Sequence, residues 1–403
     1  MSEPLIVIGN GMAAARLVEE LAKRTLGRYA IAVIGDEPRL AYNRVLLSAL
    51  LAEEVGFSDI ELKPARWWRD RGVTLRYGVR ATEVDRIART VRLADGAQLP
   101  FSKLVFATGS QPIKLANPGM NLPGVLTFRD IDDVNTIAAS KGRRVVVIGG
   151  GLLGLEAAYG LAKAGADVTV LHLMDRLMER QLDRHGGLLL KRAVEAKGIT
   201  VRLAAETARI VGNGRVEAVE LKDGSTIPAD AVVVAVGIRA SAELARSAGL
   251  KVNRGIVVDD RLETSVAGIH AIGECAEHRG LCYGLVEPAY EQARVLARHL
   301  AGETIGYPGS VLATNLKVSG VNVFSAGDFL GATAGADEIV LSDPGAGVYK
   351  KLVVADDRLI GAVLFGDTAD GLWYLDLIRS GSSVERLRDD LVFGRELATR
   401  AAA

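Results

Sequence analysis

PLIVIGNGMAAARLVEELAKRTLGRYAIAVIGDEP, residues 4–38, carries the pattern that decides the fold. Leu5 to Ile8 form a short apolar run of the buried-strand type. Gly9, Gly11 and Ala14, with Met12 between them, then spell G-x-G-x-x-A. Leu17 and Leu21 continue at helical spacing, and Tyr29 to Ile34 supply a second apolar run that ends at Asp36. The segment reads as strand, glycine turn, helix, strand. The same pattern returns in RRVVVIGGGLLGLEAAYGLAKAGADVTVLH, residues 143–172, where Gly149, Gly151 and Gly154 lie between the strand Val145 to Ile148 and a helix, and a second strand covers Val168 to Leu171.

A single glycine fingerprint is weak evidence, but two copies in the strand–turn–helix context predict two dinucleotide sites. The chemistry explains the spacing. The first glycine makes the turn, the second lets a pyrophosphate approach the backbone, and the third small residue lets helix and strand pack closely. Free N–H groups at the helix start and the positive end of its dipole then face the phosphates. Three further strand-to-small-residue junctions, at Lys103–Ser110, Asp230–Ala240 and Gly268–Glu277, offer backbone against which a cofactor can lie. The expected fold is α/β, with two Rossmann-like dinucleotide-binding domains.

Composition narrows the class. The 403 residues exceed what one core usually supports, so two or three domains are expected. Apolar residues make up 49% and glycine is abundant at 45 residues, which suits buried parallel strands joined by tight turns. Lys plus Arg and Asp plus Glu both number 49, so no overall field favours nucleic acid or a membrane surface. No apolar run reaches the ~18 residues of a membrane-spanning helix. The chain runs from MSEP straight into a strand without a basic leader, and the expected location is the cytoplasm. Cys275 and Cys282 are the two cysteines. They are too few for a disulfide framework or a bound iron–sulfur cluster, and no CxxC or CxxxxC redox pair exists.

With these residues in view, the chain resembles the two-dinucleotide-domain flavoprotein reductases, the group of glutathione reductase and of rubredoxin and ferredoxin reductases. The resemblance rests on the ordered set GNGMAA (9–14), ATGS (107–110), GGGLLGLEAA (149–158), AVG (235–237) and AIGE (271–274). It is most similar to the flavoprotein portion of assimilatory NAD(P)H nitrite reductase large subunits, through GDEPRLAYNRVLLS (35–48), HLMDRLMERQLD (172–183) and GECAEHRGLCYGLVEPAYEQARVLA (273–297). The tail, with TNLKVSGVNVFSAGD, YKKLVV and LIGAVLFGD, is similar to that family's small third domain. The resemblance implies FAD as cofactor and NADH or NADPH as co-substrate. It divides the chain into an FAD-binding domain of 1–109 and 240–307, an NAD(P)-binding domain of 110–239 and a small C-terminal α/β domain of 308–403. The large subunits continue into cysteine-rich and sirohaem-binding regions. A chain without them is expected to be an electron-entry component that does not reduce nitrite unaided.

The implied sites follow residue by residue. Gly9, Gly11 and Ala14 form the FAD phosphate turn, and Asp36 or Glu37 accepts hydrogen bonds from the adenosine ribose. By the resemblance Arg44, Ala81, Thr108, Gly109 and Arg129 line the FAD cleft, the two arginines offering forked donors. Gly237 and Gly273 close two of the strand-end junctions. Glu274 stands where the family commonly has Asp, facing the ribityl chain. Val286, just before a helix in which Pro288 suits the first turn, brings backbone near the flavin ring. Gly149, Gly151 and Gly154 carry the pyridine-nucleotide pyrophosphate, and Glu156 is the candidate catalytic residue that positions nicotinamide. The lysine that pairs with this glutamate in several relatives is replaced by Ala49. His172 occupies the NADH-versus-NADPH position with Arg176 and Arg180 close by; the HLM triplet leans towards NADH.

Other features have plainer readings. Trp67 and Trp68 suit helix packing, and Cys275, His278 and Cys282 lack the further ligands of a metal site, so none is expected. The expected activity is an FAD-dependent NAD(P)H reductase that passes electrons to a small redox protein or a metal-centre reductase subunit, in nitrate or nitrite assimilation. Alternatives are a rubredoxin or ferredoxin reductase of another pathway, an NADH oxidase, or a nucleotide-bound regulatory flavoprotein without turnover. Peroxidase chemistry lacks its cysteine in AYNRVLLS. No nucleic-acid or membrane partner is expected, and a homo-oligomer is left open.

Overall fold

The computed structural model describes residues 2–25, 27–318 and 320–401. The chain divides into two compact units, one of residues 1–47, 55–113 and 238–310, the other of residues 48–54, 114–237 and 311–403.

The first unit is built on a five-stranded parallel sheet in the order Ile269–Ala271, Lys103–Phe106, Glu3–Ile8, Tyr29–Gly35, Thr74–Tyr77. The register aligns Ile8 with Ile34 on one side and with Phe106 on the other. Val7, Val33 and Val105 are completely buried, so these strands read as continuous apolar runs rather than alternating ones. Each such side chain contributes roughly 1.5–3 kcal/mol by leaving water. The helix Met12–Arg24 packs along the helix Val286–Leu300, Leu17 and Leu21 from one and Ala293, Leu296 and Ala297 from the other lying in the same core. A three-stranded antiparallel sheet, Ala81–Asp85, Thr90–Leu93 and Gln98–Pro100, completes the larger features of this unit. Trp68 is buried in the short helix Ala65–Arg69, which bears out its reading as a packing residue.

The second unit repeats the theme. Its parallel sheet has the order Thr200–Arg202, Asp167–Leu171, Arg144–Ile148, Ala231–Val234, Val125–Thr127. The helix Leu152–Lys163 follows the central strand, and a three-stranded antiparallel sheet, Thr207–Val211, Ala218–Leu221 and Thr226–Pro228, lies in the same unit. Residues 313–365 form a five-stranded antiparallel sheet in the order Ala313–Val318, Val321–Gly327, Arg358–Phe365, Val348–Ala355, Asp337–Asp343, with the helix Gly371–Ser380 on it. Phe324 is packed so closely beneath that helix that Gly371 has no room for a side chain.

Strand order locates the ligand crevices. In each parallel sheet the strand preceding the glycine turn is central, the next strand in sequence lies to one side and a later strand to the other. Winding therefore reverses at the carboxyl end of Glu3–Ile8 and of Arg144–Ile148, and such switch points open a crevice for a dinucleotide. All three junctions singled out in the sequence are strand ends, at Phe106, Val234 and Ala271. Among the described residues no helix is long and apolar enough to cross a membrane.

Candidate dinucleotide sites

In the first unit the turn is fixed by close backbone approach. Gly9 has φ of +116°, and a methyl group there would sit 2.1 Å from the Ala107 carbonyl oxygen. Its N–H donates to Ile34 O at 2.8 Å, and Ala107 N donates to Ile8 O at 2.8 Å, locking the turn between both neighbouring strands. Gly11 differs. Its backbone is extended, and a methyl group there would meet nothing within 4 Å. It precedes the helix Met12–Arg24, which has no side-chain cap and no acidic residue in its first turn. Ala14 is fully buried in the third small position. The side-chain oxygen of Asn10, buried in the same turn, finds no donor although its Nδ2 donates to Arg39 O at 3.1 Å. Open space, uncapped N–H groups and an acceptor without a partner fit a dinucleotide bearing phosphates and hydroxyls.

The strand-end carboxylates are engaged in different ways. Asp36 pairs with Arg80 at 2.6 Å, both side chains exposed. Glu37 accepts from Tyr42 Oη at 2.7 Å and from Arg44, whose guanidinium also lies over the Tyr42 ring. Ala81 opens the strand reached through Gly78 and Val79, whose N–H groups donate to Glu37 O and Gly35 O at 2.9 and 3.0 Å. Thr108 donates through Oγ1 to Ser241 O at 2.6 Å, and Gly109, at φ +65°, accepts from Ser241 N at 2.9 Å. Gly273, at φ +78°, donates to the buried Gln292 Oε1 at 2.7 Å, while Glu274 accepts from Ser110 Oγ at 2.8 Å. The helix predicted to follow Val286 begins at that residue, because Leu285 is the last in extended conformation. Its start also has no side-chain cap.

The second unit builds the same cradle. Gly149 has φ of +126° and stands where a methyl group would lie 2.3 Å from Ala235 O; one at Gly154 would lie 1.9 Å from Gly149 O. Gly151 is again open to at least 4 Å and begins an uncapped helix. Gly237, at φ +123°, closes the strand end after Val234. A fourth glycine, Gly150, leaves no space for a side chain, since a methyl group there would lie 2.7 Å from His172 and 2.6 Å from Leu177. His172 is buried, accepts Gly150 N–H through Nδ1 at 3.0 Å and contacts Glu179 Oε2 through Nε2 at 3.0 Å. Arg176 is turned to Asp175 and Leu182 O, while Arg180 is largely exposed. Arg129 belongs to this unit, its backbone N–H donating to Asp133 at 2.7 Å.

Glu156 lies in the first turns of the helix Leu152–Lys163, almost completely buried. Burial pushes its carboxyl up to about 7, against a smaller opposing effect of the Ser48 hydroxyl that hydrogen-bonds it. Such a group changes protonation near neutral pH, as proton-handling carboxyls do. Cys275 is fully buried, its Sγ facing Phe106 O and Ile272 O, and burial raises both thiols. Among the described residues no group of three or more His, Cys, Asp or Glu side chains could hold a metal ion. Asn10, Gly150, Glu179 and Gln292 were not singled out from sequence. The GGG run marks Gly150, whereas the other three act through loop or tertiary contacts that leave no periodic trace.

A glycine turn with an open, uncapped helix start, built twice at a topological switch point, defines a protein with two dinucleotide sites. Residues 3–297 match the model of the pyridine nucleotide-disulphide oxidoreductase family and residues 313–382 that of the rubredoxin NAD+ reductase C-terminal domain. The chain is 46% identical over 384 residues to a nitrite reductase [NAD(P)H] of Bacillus subtilis (strain 168), covering 94% of this chain and 48% of that protein. It is 42% identical over 375 residues to the assimilatory nitrate reductase electron transfer subunit of the same organism, covering 92% and 48%. The chain thus spans about half the length of these two relatives. The crystal structure of a ferredoxin reductase for the CYP199A2 system from Rhodopseudomonas palustris superposes with a TM-score of 0.88 at 29% identity, covering all of both chains. The chain belongs to the pyridine nucleotide-disulphide oxidoreductase family. It is an oxidoreductase of the type that uses FAD and NAD(P)H, with the mixed α/β fold expected from its sequence.

Proposed function

We propose that this chain accepts hydride from NADH or NADPH and delivers electrons to a separate redox partner, a small iron–sulfur protein or a metal-centre reductase subunit, in nitrate or nitrite assimilation. The observation that carries the reading is the pair of open positions at Gly11 and Gly151, each before an uncapped helix and each behind a turn glycine that backbone contact makes irreplaceable. We assign FAD to residues 1–109 and 240–307, pyridine nucleotide to 110–239, and leave 308–403 as a small closing domain. The cytoplasm is the proposed location.

Gly9, Gly11, Met12 and Ala14 would hold the FAD pyrophosphate, Glu37 or Asp36 the adenosine ribose, and Thr108, Gly109, Arg44, Ala81, Gly273, Glu274 and Val286 the remainder. Arg129 is assigned to the same cofactor. Gly149, Gly151, Gly154 and Gly237 would hold the nicotinamide nucleotide. When bound, FAD supplies the hydride acceptor and the onward electron donor. The protein contributes positions and charges: backbone N–H groups at two helix starts bind phosphate, and the uncapped start of Val286–Leu300 favours negative charge nearby. Glu156, its carboxyl raised to about 7 by burial, would hold or yield a proton near neutral pH. The two thiols, both raised by burial, support an exit for electrons that bypasses sulfur.

The test is anaerobic mixing of the purified, FAD-loaded protein with NADH, followed at the flavin absorbance. Fast bleaching, rapid turnover with ferricyanide and slow turnover with oxygen are expected. A protein that stays colourless after refolding with FAD refutes the reading, and fast oxygen consumption in place of ferricyanide reduction points to an NADH oxidase.

A further inference from the structure

We infer that Glu179, presented by His172, is the carboxylate that reads the adenosine ribose of the pyridine nucleotide and selects NADH over NADPH; this rests on the nucleotide site proposed above. The end of the second strand in such a unit ordinarily carries an acidic residue that binds the free 2′-hydroxyl. In this chain the strand Asp167–Leu171 is followed by His172, which has no carboxylate to offer. The surrounding contacts show what the imidazole does instead. Its Nδ1 accepts the N–H of Gly150, the middle residue of the glycine turn, at 3.0 Å. The ring proton therefore sits on Nε2 and is donated to Glu179 Oε2 at 3.0 Å.

The loop that brings Glu179 there is pinned at several points. Met178, in a left-handed conformation at φ +51°, donates its N–H to Gly150 O at 3.0 Å. Leu182 N donates back to Met178 O at 2.8 Å, and Arg176 donates to Leu182 O at 3.4 Å. His172 N and O are themselves bonded to Arg202 O and Ala205 N. Glu179 keeps part of its surface open, and its second oxygen is 4.0 Å from the exposed Arg180, too far for a hydrogen bond. One carboxylate oxygen is thus held by the imidazole, and the other keeps only a loose ion pair with the largely exposed Arg180. Arg176, the second candidate for a 2′-phosphate, is occupied by Asp175 at 3.0 Å. A carboxylate fixed at this strand end accepts from ribose hydroxyls and repels a 2′-phosphate. Glu179 is the specificity-determining residue and His172 the residue that positions it.

The experiment uses the FAD-loaded full chain and two readouts, dissociation constants for NAD+ and NADP+ by calorimetry and the ratio of kcat/KM for NADH and NADPH with ferricyanide. The wild-type protein should prefer NAD+ by about tenfold or more, the scale on which a like charge discriminates. Glu179→Gln removes the charge and should collapse that preference by about tenfold, chiefly through tighter NADP+ binding. His172→Asp in the Glu179→Gln background puts a carboxylate directly at the strand end and should restore it. A preference for NADP+ in the wild-type protein, or a ratio unchanged by Glu179→Gln while both nucleotides still bind, overturns the inference and leaves the proposed function standing. If neither nucleotide binds the folded wild-type protein, both fall together.

Discussion

The three fingerprint glycines of the second cradle should separate into structural and ligand-binding positions when each is replaced by alanine. At Gly149 the new methyl group would sit 2.3 Å from Ala235 O on a residue with φ of +126°. The backbone conformation costs an L-residue about 1–2 kcal/mol, and moving a central strand to relieve the overlap costs about 1–3 kcal/mol more. At Gly154 the overlap with Gly149 O is closer still, 1.9 Å, and the obstacle is again backbone that cannot swing aside. Gly151 has neither problem, since its backbone is extended and nothing lies within 4 Å. Its replacement should change stability by about 0.5–1 kcal/mol, the difference between glycine and alanine before a helix, yet place a methyl group where the pyrophosphate meets the backbone. Denaturant unfolding without pyridine nucleotide, at fixed FAD, gives the stabilities; titration with NAD+ gives the affinities. Gly149→Ala should lose stability, whereas Gly151→Ala should keep it and bind NAD+ about tenfold or more weakly, the equivalent of ~1.4 kcal/mol. A Gly151→Ala protein as unstable as Gly149→Ala, or one that binds NAD+ normally, refutes the division.

Two buried groups impose opposite pH dependences. His270 is completely buried, and burial lowers it to about 4. The unfolded chain then binds a proton below about 6.5 that the folded chain refuses until about 4, so acidification through that window should cost about 3 kcal/mol. His270→Leu should flatten the midpoint of unfolding between pH 6.5 and 4, and an unchanged slope would count against the assignment. Glu156, raised to about 7, binds its proton more tightly in the folded state, so its contribution to stability falls as pH rises from about 4.5 to 7. Glu156→Gln should be more stable than the parent above pH 7, by up to about 3 kcal/mol, with the difference vanishing near pH 4.5, while its flavin reduction by NADH slows. Gln292→Leu should cost about 1–3 kcal/mol by stranding the buried Gly273 N–H, and calorimetry should show weaker FAD binding alongside the lower unfolding midpoint.

The parallel sheets were legible because each rests on local pattern: an apolar run, a glycine turn and a helical repeat within about thirty residues. Gly9 and Gly149 announce themselves, since no other residue type tolerates both the positive φ and the backbone contact. What the sequence withheld lies in contacts across the chain. Asp36 and Glu37 are adjacent and chemically alike, but Arg80 takes one while Tyr42 and Arg44 take the other. Their difference depends on an arginine 44 residues away, which no local reading contains. His172 reads as a missing carboxylate until the loop folds back and brings Glu179 against it. Gln292 sits among the alanines and leucines of an amphipathic helix, and its tie to Gly273 appears only once that helix packs beside the strand end.

The family's name includes a disulphide, and the setting of the two thiols argues against sulfur as an electron path in the proposed function. A redox thiol must reach the thiolate near neutral pH, which calls for a partly exposed site beside positive charge or a helix start. Cys275 has the reverse setting. Its side chain is fully buried, Sγ faces two carbonyl oxygens, and burial raises the thiol. Cys282 is half-buried and raised as well, with Glu277 adding to the effect. With both remaining as free thiols and neither poised to ionise, a dithiol relay has no nucleophile to start it. On the proposed function, electrons that arrive as hydride would then pass directly to a docking acceptor rather than by exchange with cysteine. Replacing Cys275 by Ala and Cys282 by Ser together should accordingly leave ferricyanide turnover within about twofold of the parent; loss of turnover in a folded, FAD-loaded double variant would show that a thiol carries electrons after all.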